Sequence, residues 1–356
     1  MKIFEADTIL QSLTPWLFIT TIYGLRPYSL TSNSDQIKAQ FSYILLFYSV
    51  AIISAEFIIL FWVIQYVFTY NVGSLNSYIT NLDYSVSLFI WSVANLISIW
   101  KYKNFINILN RIAIIDRGFQ GIGINISYKR DKKQLILSLL CALLISSNFY
   151  FHASYFYSDE VKFPGIAYYL DLIISTARHW FVIQIVQLVN FLKFRYRKIN
   201  SILINFPHEN RDKPCVNKIF LGYSNDIREI RALRKLYDDM LQIVEMINET
   251  FGVRLTIYLG NAWEILVASA YYTITSLIKG IKEGNIVVID VYDVGTIVIE
   301  FTILIVYLIS AFGGTVEAAE KTGALVERLL LRVQDEDTIK EVGGGRKGNF
   351  QSRITC

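Results

Sequence analysis

Apolar residues are collected in six long runs, separated by segments that alternate between polar and apolar positions. The runs cover residues 41–69, 82–100, 135–157, 165–192, 255–278 and 292–312. A helix needs about 20 apolar residues to cross a bilayer, and each run is near or above that length. The pattern therefore predicts an all-α fold, a polytopic transmembrane helical bundle with six spans.

The polar connection before the fifth run has a helical period of its own. Residues 226–263 lead from a charged stretch into the apolar run without Pro or paired Gly, which predicts one unbroken helix. Apolar residues recur there at spacings of three and four: Ile230, Leu233, Tyr237, Met240, Val244, Ile247 and Phe251. This spacing places them on one seam of the helix, and we predict that the seam is an oligomerisation surface. The same period also fits a helical hairpin closed within one subunit.

The other segments complete one membrane domain. Residues 12–28 form an apolar patch too short for a span, which predicts an interfacial or packed amphipathic helix. Residues 193–252 and 313–334 are expected to form cytosolic anchor helices. Residues 335–356 are polar and contain glycine, which predicts a disordered tail.

Composition and charge support a membrane protein and set its orientation. The chain is 53% hydrophobic and 18% charged, with a mean hydropathy of +0.39, which is too apolar for a soluble domain of this size. Of the 34 Lys and Arg residues, 29 lie on one predicted side of the membrane. They are in the N-terminal segment, the second and fourth loops and the C-terminal segment. Because positive residues stay on the cytosolic side, both termini are predicted to be cytosolic.

The sequence holds no pattern typical of an enzyme. The three His are dispersed, and Cys141, Cys215 and Cys356 are too far apart for metal-ligand spacing. We therefore expect no catalytic site, no metal site, no cofactor and no nucleic-acid partner.

One block carries a family resemblance. Residues 236–252, LYDDMLQIVEMINETFG, resemble the block before the fifth span of insect gustatory receptors, with Tyr237, Asn248, Phe251 and Gly252 at matching places. Weaker similarities follow in the order that the family has them, at residues 12–28, 108–119, 194–203 and 317–330.

This resemblance implies a function. It implies a taste receptor of the plasma membrane that binds a small-molecule tastant. The receptor would be a ligand-gated, non-selective cation channel, built as a homo- or hetero-tetramer of gustatory receptor subunits. The family's seventh span has no counterpart in residues 334–356, so a non-conducting or regulatory subunit that assembles with full-length receptors is the alternative. A G-protein-coupled receptor or a transporter is disfavoured by six spans with a cytosolic N-terminus and by the lack of a visible internal repeat.

The resemblance also implies a ligand pocket in the extracellular half of each subunit. In the predicted orientation, the outer halves of the spans present aromatic residues with a few polar groups, as small-molecule sites do. The candidates are Trp91, Tyr155, Asp171, Arg178, Tyr271, Tyr272, Thr275 and Glu300. The alternative is structural: the aromatics as interfacial anchors or core, and the charges as pairs across helices, with Glu300 or Glu264 as partner. His179 is expected to be a packing residue, and Glu56 a buried structural acid.

Overall fold

The computed structural model describes residues 6, 8–24, 26–33, 36–69, 75–156, 166–204, 216–283 and 288–332. Helices dominate this part of the chain, as the sequence predicts. The elements are α1 (Ile9–Ile22), β1 (Tyr28–Asn33), β2 (Gln36–Phe41), α2 (Tyr43–Thr69), α3 (Leu75–Trp100), α4 (Tyr102–Gly121), α5 (Lys129–Phe156), α6 (Ile166–Ile204), α7 (Val216–Glu283) and α8 (Val288–Arg332).

The N-terminal segment differs from the prediction of one helix over residues 12–28. Helix α1 begins three residues earlier, where the Thr8 side chain caps the helix by accepting a hydrogen bond from the Gln11 backbone N–H at 3.3 Å. It ends at Ile22, and Gly24 follows with a φ of +66°, a left-handed conformation that glycine adopts without strain. Trp16 is buried, so this helix is packed against the protein, one of the two predicted alternatives.

A β-hairpin is the second difference, because the sequence predicts only helices. Strands β1 and β2 are antiparallel, in a register that runs from Tyr28 opposite Phe41 to Asn33 opposite Gln36. The Asn110 side chain of α4 fixes the hairpin: its amide oxygen accepts from the Ile37 N–H at 2.8 Å, and its amide nitrogen donates to the Ile37 carbonyl at 2.9 Å. A contact between residues so far apart in sequence leaves no local signal in the hairpin itself.

The helix bounds agree with the apolar runs, and each run lies within one helix apart from a few terminal residues. In the described part of the chain, two helical segments are long and apolar enough to cross a membrane, Tyr43–Trp62 of α2 and Val298–Arg328 of α8. Shorter apolar stretches are Ile9–Ile22 and Leu88–Trp100. Helix α2 also exposes large apolar side chains, including Ile44 and Trp62, which is typical of a surface in contact with lipid. Six spans remain the prediction of the sequence.

The predicted unbroken helix is confirmed. Helix α7 runs for 68 residues from Val216 to Glu283, so the seam and the fifth apolar run belong to one helix. Helix α8 likewise continues for 45 residues, from the sixth apolar run into the predicted anchor segment that follows it.

The chain divides into two compact units. The larger unit comprises residues 1–110, 127–185 and 246–308, and the smaller unit comprises residues 111–126, 186–245 and, from 309 on, the described residues to 332. The core of the smaller unit contains side chains that are almost fully buried, such as Phe119, Phe191, Tyr196 and Met240. These four come from α4, α6 and α7.

Candidate functional site

The predicted ligand-binding residues are only partly within the described residues. The side chains of five of them lie outside these residues: Trp91, Tyr155, Asp171, Arg178 and Tyr272. The remaining three are Tyr271 and Thr275 on α7 and Glu300 on α8.

Glu300 is buried and lies beside a histidine. Its carboxylate oxygen Oε1 lies 3.1 Å from Nε2 of His179 on α6, and both side chains are almost inaccessible to solvent. A protonated His179 would form an ion pair with this carboxylate, which offsets the cost of burying the acid. The pairing agrees with the structural alternative for Glu300, with His179 as the partner.

Tyr271 on α7 is partly exposed, in contrast to the buried Glu300 on α8. It is 39% exposed, and the Thr275 hydroxyl donates to the Tyr271 backbone carbonyl within the same helix. Trp263, Val267 and Ile274 are exposed on the same stripe of α7, at the spacing of three and four that defines one helix face.

A second buried acid lies on α2. The Glu56 carboxylate accepts hydrogen bonds from the Ser92 hydroxyl at 3.2 Å and from the Asn95 side-chain amide at 3.1 Å, both on α3. This agrees with the prediction that Glu56 is a buried structural acid, because neutral donors satisfy its oxygens.

The seam of α7 is largely covered by the chain itself. Leu233, Tyr237, Met240, Ile247 and Phe251 are buried, and Val244 is 37% exposed; the side chain of Ile230 is outside the described residues. These burials support the alternative in which the seam packs within one subunit. Oligomerisation through the seam stays a prediction.

Aromatic contacts show what covers the seam in each unit. In the smaller unit the Tyr237 ring packs edge-on against Tyr196 of α6, with ring centroids 5.9 Å apart. In the larger unit the Phe251 ring lies 6.4 Å from Phe105 of α4 and 6.4 Å from Phe181 of α6.

The segments that resemble the gustatory receptors meet one another in the smaller unit. Arg195, in segment 194–203, forms a buried bidentate ion pair with Asp116, in segment 108–119: Nε to Oδ1 and Nη2 to Oδ2 are both 2.6 Å. The Arg195 Nη1 also donates to the Phe191 carbonyl at 2.8 Å. The pair locks α4 to α6, because the planar guanidinium fork matches the carboxylate in one orientation.

Two further contacts complete this convergence. Gly118 of α4 lies so close to α7 that an added Cβ would be only 2.5 Å from the Leu236 Cδ2 atom. The Asn200 side-chain amide of α6 donates to the Ala318 carbonyl of α8 at 2.9 Å. Four similar segments, scattered over more than 200 positions, thus form one packed cluster.

The Asp116–Arg195 pair was not predicted from the sequence, although a signal for it exists. Asp116 follows Ile112 by four positions, and Arg195 follows Phe191 by four positions. Both charged residues therefore lie on the buried faces of their helices, where a charge needs a partner. The sequence marks two such charges but does not show that they meet.

Comparison with known protein families agrees with the resemblance of these segments to chemoreceptors. A family model described as 7tm Chemosensory receptor matches residues 13–342, which is most of the chain. A search among curated proteins gives no significant match.

Proposed function

Since the chain belongs to the 7tm chemosensory receptor family, we propose that it is a gustatory receptor subunit, a ligand-gated non-selective cation channel subunit that detects small-molecule tastants. The observation that carries this proposal is the family match over residues 13–342. The family is one of membrane chemoreceptors and not of enzymes. The gustatory assignment rests on the resemblance of the similar segments, four of which contact one another.

The membrane arrangement belongs to the same proposal. Six spans, a cytosolic N-terminus and a location in the plasma membrane are supported by the apolar runs and by the distribution of Lys and Arg. Anchor helices at 193–252 and 313–334 are supported by the continuation of α6, α7 and α8 beyond these runs.

The ligand site is proposed in the outer half of the spans, near Thr275 and Glu300. Two roles of Glu300 can be distinguished, contact with the ligand and structural pairing with His179. Only a contact with the ligand makes the response to the tastant depend on the Glu300 side chain. If Glu300 contacts the ligand, Glu300→Gln changes the half-maximal ligand concentration at an unchanged amount of surface protein. If Glu300 only pairs with His179, the same variant lowers the amount of folded protein and leaves the ligand concentration unchanged.

A tetramer is proposed from the resemblance, either of this chain or with other receptor subunits. The exposed apolar stripe of α7, which includes Trp263 and Val267, supplies a surface that lipid or a neighbouring subunit would cover.

Recording current from cells that express the chain tests the function. We expect a panel of sugars and bitter compounds to evoke a cation current that is absent from untransfected cells. The chain is expressed alone and together with a full-length receptor of the same family. Current only in the mixture identifies a regulatory subunit, whereas no ligand effect in either case, at confirmed surface expression, contradicts the proposal.

A further inference from the structure

A small cavity within the larger unit has an unusual lining of hydrogen-bond donors. It lies among α1, β1, the junction of α3 and α4, α6 and α7, and its volume is about 40 Å³. One water needs roughly 10–15 Å³ by this measure, so a group of several heavy atoms fits. The three predicted ligand-binding residues whose side chains are described, Tyr271, Thr275 and Glu300, are not among its lining residues.

Three cations line the cavity. Arg26 precedes β1, Lys101 separates α3 from α4, and Arg254 lies on α7. Among the described residues, no Asp or Glu lines the cavity. Arg254 is only 6% exposed, and its guanidinium carbon lies 4.1 Å from the centre of the Phe181 ring, which holds the guanidinium plane in place. Burial of cations without an opposing charge is unfavourable, which indicates that an anion belongs here.

The unused donors point to the same conclusion. Four buried polar atoms of the lining have no hydrogen-bond partner within the described part of the chain: Trp16 Nε1, Arg26 Nε, Thr250 Oγ1 and Arg254 Nε. The two Arg atoms and the Trp atom can only donate, so their partner is an acceptor. Water would satisfy single donors, but it would not compensate three positive charges.

The three cations retain capacity for a ligand. Lys101 Nζ donates one hydrogen bond, to the Glu249 backbone carbonyl, and has two further N–H groups. Burial lowers the pKa of the Arg26 guanidinium, with the neighbouring Tyr28 acting in the opposite direction. An anion would relieve this destabilisation of the charged form.

We propose that this cavity is a binding site for a phosphate group. A tetrahedral oxyanion offers several acceptor oxygens to convergent donors, and guanidinium groups bind phosphate through paired hydrogen bonds. Either a lipid headgroup or soluble phosphate can supply this chemistry. Trp100 next to Lys101 is 81% exposed at the end of an apolar run, the position of an interfacial tryptophan. The site therefore lies where a phosphatidic acid headgroup would reach it.

Thermal stability of the purified full chain tests the site in two arms. The first arm compares nanodiscs of phosphatidylcholine with nanodiscs that also contain phosphatidic acid. The second arm adds inorganic phosphate to phosphatidylcholine nanodiscs, against chloride at equal ionic strength. We expect stabilisation in the first arm if the phosphate comes from lipid, and in the second if it is soluble.

The variants are Lys101→Gln and Arg254→Gln, and the matched control is Lys103→Gln, an exposed cation two residues from Lys101. We expect binding of the stabilising anion to weaken about tenfold or more in each cavity variant, the effect of losing one charge-assisted hydrogen bond, and to be unchanged in Lys103→Gln. If Arg254→Gln does not fold, Lys101→Gln carries the test. No stabilisation in either arm, or an equal loss in Lys103→Gln, overturns the proposal.

Discussion

Removal of the Asp116 carboxylate is expected to destabilise the protein strongly. The change is Asp116→Leu, which removes the two 2.6 Å hydrogen bonds between the fully buried Arg195 guanidinium and the carboxylate. Breaking a buried pair by removing one partner costs about 3–5 kcal/mol. Such a loss lowers the equilibrium constant of folding by a factor of about 100 to 3,000.

The charge, rather than the volume, accounts for this loss. In Asp116→Leu/Arg195→Met both members of the pair are replaced, and apolar replacement of a whole buried pair is often neutral or stabilising. We therefore expect the double variant to recover most of the stability that each single variant loses, giving a large coupling energy. The measurement is the free energy of unfolding from denaturant titration of the purified chain in detergent.

An exposed pair in the same unit provides the control. Arg234 and Asp238 are one helical turn apart on α7, with 3.9 Å between Nε and Oδ2 and partly exposed side chains. Arg234→Gln should cost about 0.5 kcal/mol or less. The reasoning is refuted if Asp116→Leu costs no more than Arg234→Gln, or if the effects of the two buried substitutions simply add.

Two further predictions concern α7. Gly118→Ala places a methyl group against Leu236 and should lower the free energy of unfolding by about 1–3 kcal/mol. In the control Gly121→Ala, the added methyl group meets no atom within 4 Å, so the change should be close to neutral. Equal effects of the two substitutions would show that the approach of α4 to α7 is not tight. For assembly, Val244→Asp should reduce oligomers on native gels while the chain stays folded, because Val244 is exposed. Met240→Asp should instead unfold the chain, because Met240 is fully buried. Oligomers unchanged in folded Val244→Asp would remove Val244 from the subunit interface.

The long helices follow from the sequence, because their determinants are local. Residues 226–263 lack Pro and paired Gly, and this suffices to predict that α7 continues into the fifth apolar run. The hairpin of β1 and β2 could not be predicted in this way. It is short and polar, and its docking depends on Asn110, a residue 73 positions away from Ile37.

The partners of buried groups also require the three-dimensional structure. Periodicity identifies the buried side of α7 but not the residues that cover it, so Tyr196 as a neighbour of Tyr237 is known only from the packing. The proposed phosphate site could not be predicted from the sequence for the same reason. Arg26, Lys101 and Arg254 are far apart in sequence, and only the fold brings them to one cavity.

The contact between Asn110 and the hairpin also bears on aggregation. A two-stranded sheet has open edges, and free N–H and C=O groups on such an edge can recruit a strand from another chain. The Asn110 amide occupies both groups of Ile37, so at this residue β2 has no free backbone group to offer. In the folded chain, this polar side chain of α4 thus removes one backbone position at which β2 could pair with a strand from another chain.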